Sequence, residues 1–138
     1  MASLIYDSFM DDIVKNNINL STDTFKVMLV TSAYTPVKGT HNRRSSVTNE
    51  ATGTGYTSGG IASATTVSLD TTNNRSDTTF ANVQWTSSTI TARACVIYKS
   101  TGTAANDPLV AYVDFGQDVS STSATFAITF SSPLRFQN

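Results

Sequence analysis

The chain has 138 residues, of which 39% are hydrophobic and 14% are charged, and its formal net charge is −1. This length suits one domain that buries a real apolar core without disulfide or metal support. Nine scattered Lys and Arg residues exclude the clustered basic surface that nucleic-acid binding requires, so we expect no nucleic-acid partner.

The first residues predict a short amphipathic α-helix within residues 1–17. Apolar residues recur every fourth position from Ile5 to Ile13, which places them on one face of a helix. Ser3 suits the N-cap position, and Asn16 is of the type that ends helices. A helix this short is not stable alone. Its apolar stripe must therefore pack on a sheet or on a partner.

Alternating apolar residues then predict a series of strands. Residues 24–32 carry apolar side chains on both faces, which indicates a central strand covered on both sides. The pair Ala81-Asn82 interrupts the alternation of one strand and predicts a bulge. The glycine and polar residues of 116–121 predict a turn. The other predicted strands are 64–69, 78–85, 89–99, 109–115 and 122–130.

These patterns predict a mainly β, single-domain chain over residues 1–138. Short polar turns between the strands favour antiparallel pairing, in a sandwich or barrel of about six to eight strands. One short N-terminal α-helix and one long extended loop complete the predicted architecture.

The long loop covers residues 37–60 and has little periodicity apart from a short strand predicted near 46–48. Four of the seven glycines lie in its second half, and it also holds the only histidine, His41. Dense glycines indicate unusual backbone conformations or a close approach of the backbone to something else. The segment Gly53–Ser58 lacks the third glycine of a dinucleotide-binding fingerprint, and no phosphate-binding lysine or helix pattern follows it. The loop is therefore interpreted as a contact segment, or arm, rather than a phosphate site.

Other candidate chemistry is sparse, and we expect no catalytic residue, cofactor or metal and no enzymatic activity. His41 is a lone imidazole in a polar loop, which is most often solvated. One His and one Cys cannot supply the usual zinc ligand set. Cys95 lies in an apolar strand and is expected to be a small buried hydrophobe. Asp70 and Asp77 give a weak signal for a hard cation at a turn.

Aromatic residues leave one further interpretation open. A carbohydrate-binding platform requires exposed rings on which sugars can stack, whereas strand positions favour core or boundary roles. The rings in question are Tyr56, Trp85, Tyr98 and Tyr112, and core or boundary roles are favoured for the last three.

The sequence also favours a cytoplasmic site of synthesis. No apolar run approaches the roughly 18 residues of a membrane-spanning helix, and we expect no membrane partner. The N-terminal residues lack the basic and apolar regions of a signal peptide.

The order of several segments resembles a family of structural proteins from the virions of tailed bacteriophages. The resemblance covers nearly the whole chain. It is carried by Tyr6–Phe9, Phe25–Pro36, Asn49–Gly60, Val83–Thr86, Ala92–Tyr98 and Leu109–Gly116.

Such proteins resemble capsid decoration, or cement, proteins, and some relatives belong to the tail. The resemblance implies synthesis in the host cytoplasm, assembly into the capsid, and stabilisation of the major capsid protein lattice. It implies contacts with the major capsid protein and with neighbouring copies, and a homo-oligomer for which a trimer would match a three-fold lattice position. It transfers no catalytic residue. A tail or baseplate component and a carbohydrate-binding receptor module are the alternatives.

The partner contacts are expected in the long loop, where backbone rather than reactive side chains would reach a neighbour. The candidate residues are His41, Arg43, Arg44, Asn49, Gly53, Gly55, Tyr56, Gly59 and Gly60.

Overall fold

The computed structural model describes residues 2–138, which form two open antiparallel sheets, one α-helix and two short 3₁₀ segments. The predicted mainly β fold is confirmed, and the open sheets agree with a sandwich rather than a closed barrel. The strands are β1 (Leu4–Ile5), β2 (Phe25–Val30), β3 (Gly53–Thr54), β4 (Ile61–Ala62), β5 (Thr65–Asp70), β6 (Arg75–Phe80), β7 (Val83–Lys99), β8 (Leu109–Ile128) and β9 (Leu134–Gln137); the helix is α1 (Asp7–Val14), and the 3₁₀ segments are Arg44–Ser46 and Ala104–Asn106.

The six-stranded large sheet has the order β1-β8-β7-β2-β4, and β3 pairs with another part of β7. Its centre is the long antiparallel pair β7–β8, whose register runs from Val83 opposite Ile128 to Tyr98 opposite Leu109. The three-stranded small sheet has the order β5-β6-β9. Both sheets are antiparallel throughout, and two of the pairs, β5–β6 and β7–β8, join consecutive strands through short connections.

Apolar clusters cover both faces of the large sheet. On β2, Phe25, Val27 and Leu29 point into the main core, while Met28 and Val30 point into a second cluster on the opposite face. The main core also takes side chains from α1 and the small sheet. The second cluster contains four tyrosines, one of which, Tyr34, comes from the chain that follows β2. The predicted central position of this strand is confirmed.

The helix is shorter than the predicted 1–17 segment. Residues Leu4–Ile5 pair with β8 as a strand, and the position before α1 is Tyr6 rather than Ser3. The Ser3 hydroxyl instead accepts a bond from the backbone N–H of Asp114. Of the predicted stripe, Phe9 is buried, but Ile5 remains exposed. The helix does end as predicted, since Asn16 takes a positive φ of 61°.

The predicted bulge at Ala81-Asn82 is instead the point where the chain passes from the small sheet to the large sheet. Phe80 ends β6 and Val83 begins β7, and both side chains are buried in the main core. The irregular spacing of these two apolar residues therefore reflects a change of sheet. The Asn82 side chain holds this corner by accepting a bond from the backbone N–H of Phe130.

The predicted turn at 116–121 is wrong, because β8 continues through it. Asp114 lies opposite Ala94, but Val119 lies opposite Ala92, so β8 carries extra residues between two regular stretches of pairing. Gly116 adopts a positive φ of 84° within this bulge. Glycine and polar residues favour turns and bulges alike. The long-range pairing with β7 decides which of the two forms.

Candidate functional site

The long loop, residues 37–60, is attached to the large sheet along much of its length. Ala51 is buried, and its backbone N–H donates to Leu29 O at 2.8 Å. The N–H of Thr31 donates to the carbonyl of Asn49 at 2.9 Å. The short strand predicted near 46–48 is wrong: a 3₁₀ segment ends there, and the two-residue strand of the loop is β3.

Glu50 organises the glycine-rich half of the loop. Its carboxylate accepts bonds from the Tyr56 hydroxyl at 2.5 Å, the Ser58 hydroxyl at 2.9 Å and the Gly59 backbone N–H at 2.7 Å. We call these four residues the Glu50 cluster. Burial, followed by the bond to Glu50, raises the pKa of Tyr56. The Tyr56 hydroxyl also accepts a bond from the N–H of Leu29, which ties the cluster to β2.

Two loop glycines approach the backbone of the chain's own sheet. A Cβ on Gly60 would lie 1.8 Å from the Val27 carbonyl oxygen, and a Cβ on Gly53 would lie 2.1 Å from that of Thr89. Both distances are far below any real contact, so only glycine fits. Gly59 is buried, and its carbonyl accepts the Tyr98 hydroxyl at 2.5 Å. The close approach predicted from the glycines is therefore made, in this chain, to β2 and β7.

His41 lies apart from the Glu50 cluster, at the other end of the loop. Its Nδ1 is 3.2 Å from the donating N–H of Val37 and 2.9 Å from the Tyr34 hydroxyl. Because Nδ1 accepts the Val37 N–H, this nitrogen carries no hydrogen. The Tyr34 hydroxyl is therefore the donor in its contact with Nδ1. The Tyr34 hydroxyl is in turn 2.8 Å from that of the buried Tyr6. His41 is thus half-buried at the end of a hydrogen-bonded chain rather than solvated.

The adjacent arginines attach the loop to two distant parts of the chain. Arg43 makes two bonds to the buried carboxylate of Asp12, at 2.9 and 3.1 Å. Arg44 donates to the buried Asp107 at 2.8 Å and lies over the ring of Tyr98. Burial disfavours the charged form of Asp107, but bonds from Thr101 and Arg44 outweigh it and lower its pKa. Both arginines act as structural anchors.

The nine predicted contact residues therefore form separate groups. Tyr56 and Gly59 belong to the Glu50 cluster. Gly60 is next to Gly59 in the chain and lies against the backbone of β2. Gly53 and Gly55 lie against β7. The remaining four, His41, Arg43, Arg44 and Asn49, lie elsewhere in the loop. Partner contact by these residues stays a prediction.

The aromatic residues considered for sugar stacking are mostly enclosed. Trp85, Tyr98 and Tyr112 are buried, and half-buried Tyr56 packs on Trp85 with ring centroids 5.8 Å apart. Within residues 2–138 these side chains do not form an exposed row of rings. Their placement favours the core interpretation.

Cys95 is fully buried, as predicted, and burial raises the pKa of its thiol to about 12. Asp70 and Asp77 lie beside Arg75 in the small sheet. Across residues 2–138, no three potential metal ligands come together as a site. In the same part of the chain, no helix is long and apolar enough to cross a membrane.

Sequence reasoning missed the residues that hold the loop in place: Glu50, Asp12, Asp107 and Tyr34. Glu50 carried one usable signal, since it is the only glutamate and directly precedes the glycine-rich segment. The two buried aspartates carried none. They lie 31 and 63 positions from their arginine partners, and no local pattern links residues so far apart.

The chain matches no family model, no curated protein and no solved structure in comparisons with each.

Proposed function

We propose that the protein is a non-enzymatic structural component of a tailed-phage virion, specifically a capsid decoration protein that binds and stabilises the major capsid protein lattice. The phage assignment rests on the ordered sequence resemblance described above. In this proposal the protein is made in the host cytoplasm and joins the capsid. It contacts the major capsid protein and neighbouring copies of itself, as a homo-oligomer for which a trimer suits a three-fold position.

The observation that carries the proposal is the state of the 37–60 loop. In residues 41–60 its charged side chains are engaged within the chain, Arg43 with Asp12, Arg44 with Asp107 and Glu50 with its cluster. What residues 52–58 offer outward is uncharged: Thr52, Gly53, Thr54, Gly55, Thr57 and Ser58 are exposed. A neutral surface held in one conformation suits recognition by shape and backbone rather than by reactive groups.

The loop also offers a short free edge of backbone. Strand β3 pairs with β7 on one side, at Gly53 opposite Ile90 and Thr54 opposite Thr89. Among the described residues no strand lies on its other side. An extended segment of a capsid subunit could add there, as peptides add to sheet edges in other recognition systems. Many weak contacts of this kind become strong when copies repeat on one lattice.

The alternatives differ in how the structure bears on them. A tail or baseplate component would use the same kind of surface and is separated only by location in the virion. A carbohydrate-binding module is disfavoured by the burial of Trp85, Tyr98 and Tyr112.

A binding experiment with one pair of variants tests the proposal. Purified protein is mixed with expanded capsids that lack it, and the bound fraction is measured by co-sedimentation. We expect Thr57→Arg, which places a long cation on the exposed loop surface, to weaken binding at least about tenfold. The matched control is Thr72→Arg, at an exposed site in the β5–β6 turn. Binding that is absent for the unchanged protein, or equal for both variants, would overturn this proposal.

A further inference from the structure

The small sheet has one polar and one apolar face. Because opposite residues of antiparallel strands share a face, the register places Asp70, Arg75, Asp77 and Arg135 together on one side. Arg135 donates to Asp77 at 2.7 Å, and Arg75 lies 3.4 Å from Asp70. The charged groups of this outer face therefore lie close to partners of opposite charge on the same face.

The opposite face is apolar and only partly covered. Thr78 and Phe80 of β6 are buried against the main core on this side. Val67 lies opposite Thr78 and therefore faces the same way, as does Leu69 one step further. Yet Val67 is 43% exposed and Leu69 is 74% exposed. The part of this face that β5 contributes is therefore uncovered.

Strand β5 is also an unpaired edge with its hydrogen-bonding groups aimed outward. The bond from Ala81 N–H to Ala64 O, together with the register, shows that Ala64, Thr66 and Ser68 bond toward β6. Hence the N–H and C=O groups of Thr65, Val67 and Leu69 point away from it. Among residues 2–138 no strand pairs with this edge. It has no lysine, proline or bulge, the devices that usually protect an exposed edge.

We propose that β5 is an interface between two copies of this chain, paired antiparallel about a two-fold axis at Ser68. In this register Val67 of each copy lies opposite Leu69 of the other. The interface therefore contains two symmetric Val67–Leu69 pairs, and each exposed apolar side chain gains an apolar neighbour. The two three-stranded sheets join into one of six strands with a continuous apolar face.

Two features of the strand select a second copy and this register. An isologous contact requires a self-complementary surface, and Val67 and Leu69, placed symmetrically about Ser68, provide it. In this alignment the outward N–H and C=O groups of Val67 and Leu69 lie opposite each other and can pair. A shift by one residue would instead place them opposite residues whose backbone groups already bond toward β6. A two-fold axis at Val67 would leave Leu69 opposite Thr65. Parallel pairing would set Asp70 beside Asp70, while the proposed register sets it opposite Thr66.

One strand pair lies at the low end of specific interface sizes, below about 1,200 Å². The contact is therefore weak between free molecules and gains strength where copies are concentrated on a lattice. It does not depend on the capsid proposal, because it uses β5 rather than the 37–60 loop. Capsid binding and β5 pairing can each fail without the other.

Disulfide trapping tests the interface and its register together. At the proposed axis the two Ser68 residues form a non-hydrogen-bonded pair, with Cα atoms about 4.5 Å apart, a distance that a disulfide spans. The variant Ser68→Cys should therefore form a covalent dimer on mild oxidation at high protein concentration. The matched control Thr66→Cys lies on the same exposed face, but its two copies are about 13 Å apart in this register. Native Cys95 is buried and does not interfere.

We expect Ser68→Cys to cross-link at least about tenfold faster than Thr66→Cys, because pairing raises the local thiol concentration. Adding Leu69→Lys to Ser68→Cys should remove this advantage, since it places a charge on the apolar face. Adding Val14→Lys should not, since Val14 is an exposed apolar residue on α1, away from β5. Equal rates for the two cysteine variants, or cross-linking unchanged by Leu69→Lys, would overturn the proposal.

Discussion

Gly60 shows how a single backbone position fixes the 37–60 loop to the large sheet. It combines a positive φ of 81° with a backbone approach that leaves no room for a side chain, since a Cβ would lie 1.8 Å from Val27 O. Gly102 has a similar φ of 98°, but nothing lies within 4 Å of its Cβ position. Comparing alanine at the two positions therefore separates the free-energy cost of the backbone conformation from the cost of the steric contact with β2.

We expect Gly60→Ala to lower the free energy of unfolding by about 3 kcal/mol or more, because both costs apply and the β2 backbone must shift. Gly102→Ala carries the conformational cost alone, about 1–2 kcal/mol. Urea unfolding of both variants measures the difference. Equal losses would show that the loop does not depend on the close approach at Gly60.

The tyrosines form a second residue-scale feature, because burial raises the pKa of all five. Tyr98 rises to about 12, with the nearby Arg44 cation partly opposing the effect of burial. The hydrogen bond between the Tyr6 and Tyr34 hydroxyls further raises the pKa of Tyr6, and it partly opposes the effect of burial on the pKa of Tyr34. In the unfolded chain a tyrosine ionises near its ordinary pKa of about 10.

These shifts predict alkaline instability with a definite sign. Above about pH 10 the unfolded chain binds fewer protons than the folded one, so the free energy of unfolding falls as pH rises. Below that pH the contribution is fully present. Phenolate absorbance near 295 nm should therefore appear together with loss of near-ultraviolet circular dichroism, in one transition. Ionisation of most tyrosines at pH 10 with the fold intact would contradict this account.

At the scale of elements, the spacing of apolar residues was a good guide to where strands form. It located β2 and β5, and the polar run between two strands located the β5–β6 turn. It did not report burial in β5, where Val67 and Leu69 are exposed. It failed at the bulge around Gly116 and at the sheet change at Ala81-Asn82. Both are local irregularities whose meaning depends on which distant strand lies alongside, and that information is not local in sequence.

The Glu50 cluster offers a prediction for the loop as an element. Glu50→Ala removes the acceptor for Tyr56, Ser58 and Gly59, and we expect it to cost about 2 kcal/mol in unfolding free energy. Amide exchange of residues 50–60 should accelerate, because the Gly59 N–H loses its partner. Asp118→Ala, which removes an exposed acidic side chain in the β8 bulge, is the control. Unchanged exchange in Glu50→Ala would show that the backbone contacts hold the loop without it.

At the scale of the whole molecule, two open sheets and α1 surround the main core, and the free edges of β3 and β5 are unpaired within residues 2–138. The architecture was predictable from sequence because composition and alternation act over the whole chain. The anchoring of the loop was not, since it relies on pairs such as Arg43 with Asp12, whose partners meet only in the folded chain. The sequence thus pointed to residues such as Arg43 and Arg44, but not to the contacts that they make within the chain.

Localisation within the virion tests the central proposal most directly. Under this proposal, virions of the encoding phage would be imaged by electron cryo-microscopy at side-chain resolution, and the sandwich fitted to the density. The proposal predicts copies on the capsid surface, with the 37–60 loop facing major capsid protein subunits. Density for the chain in the tail alone, or its absence from the virion, would contradict it.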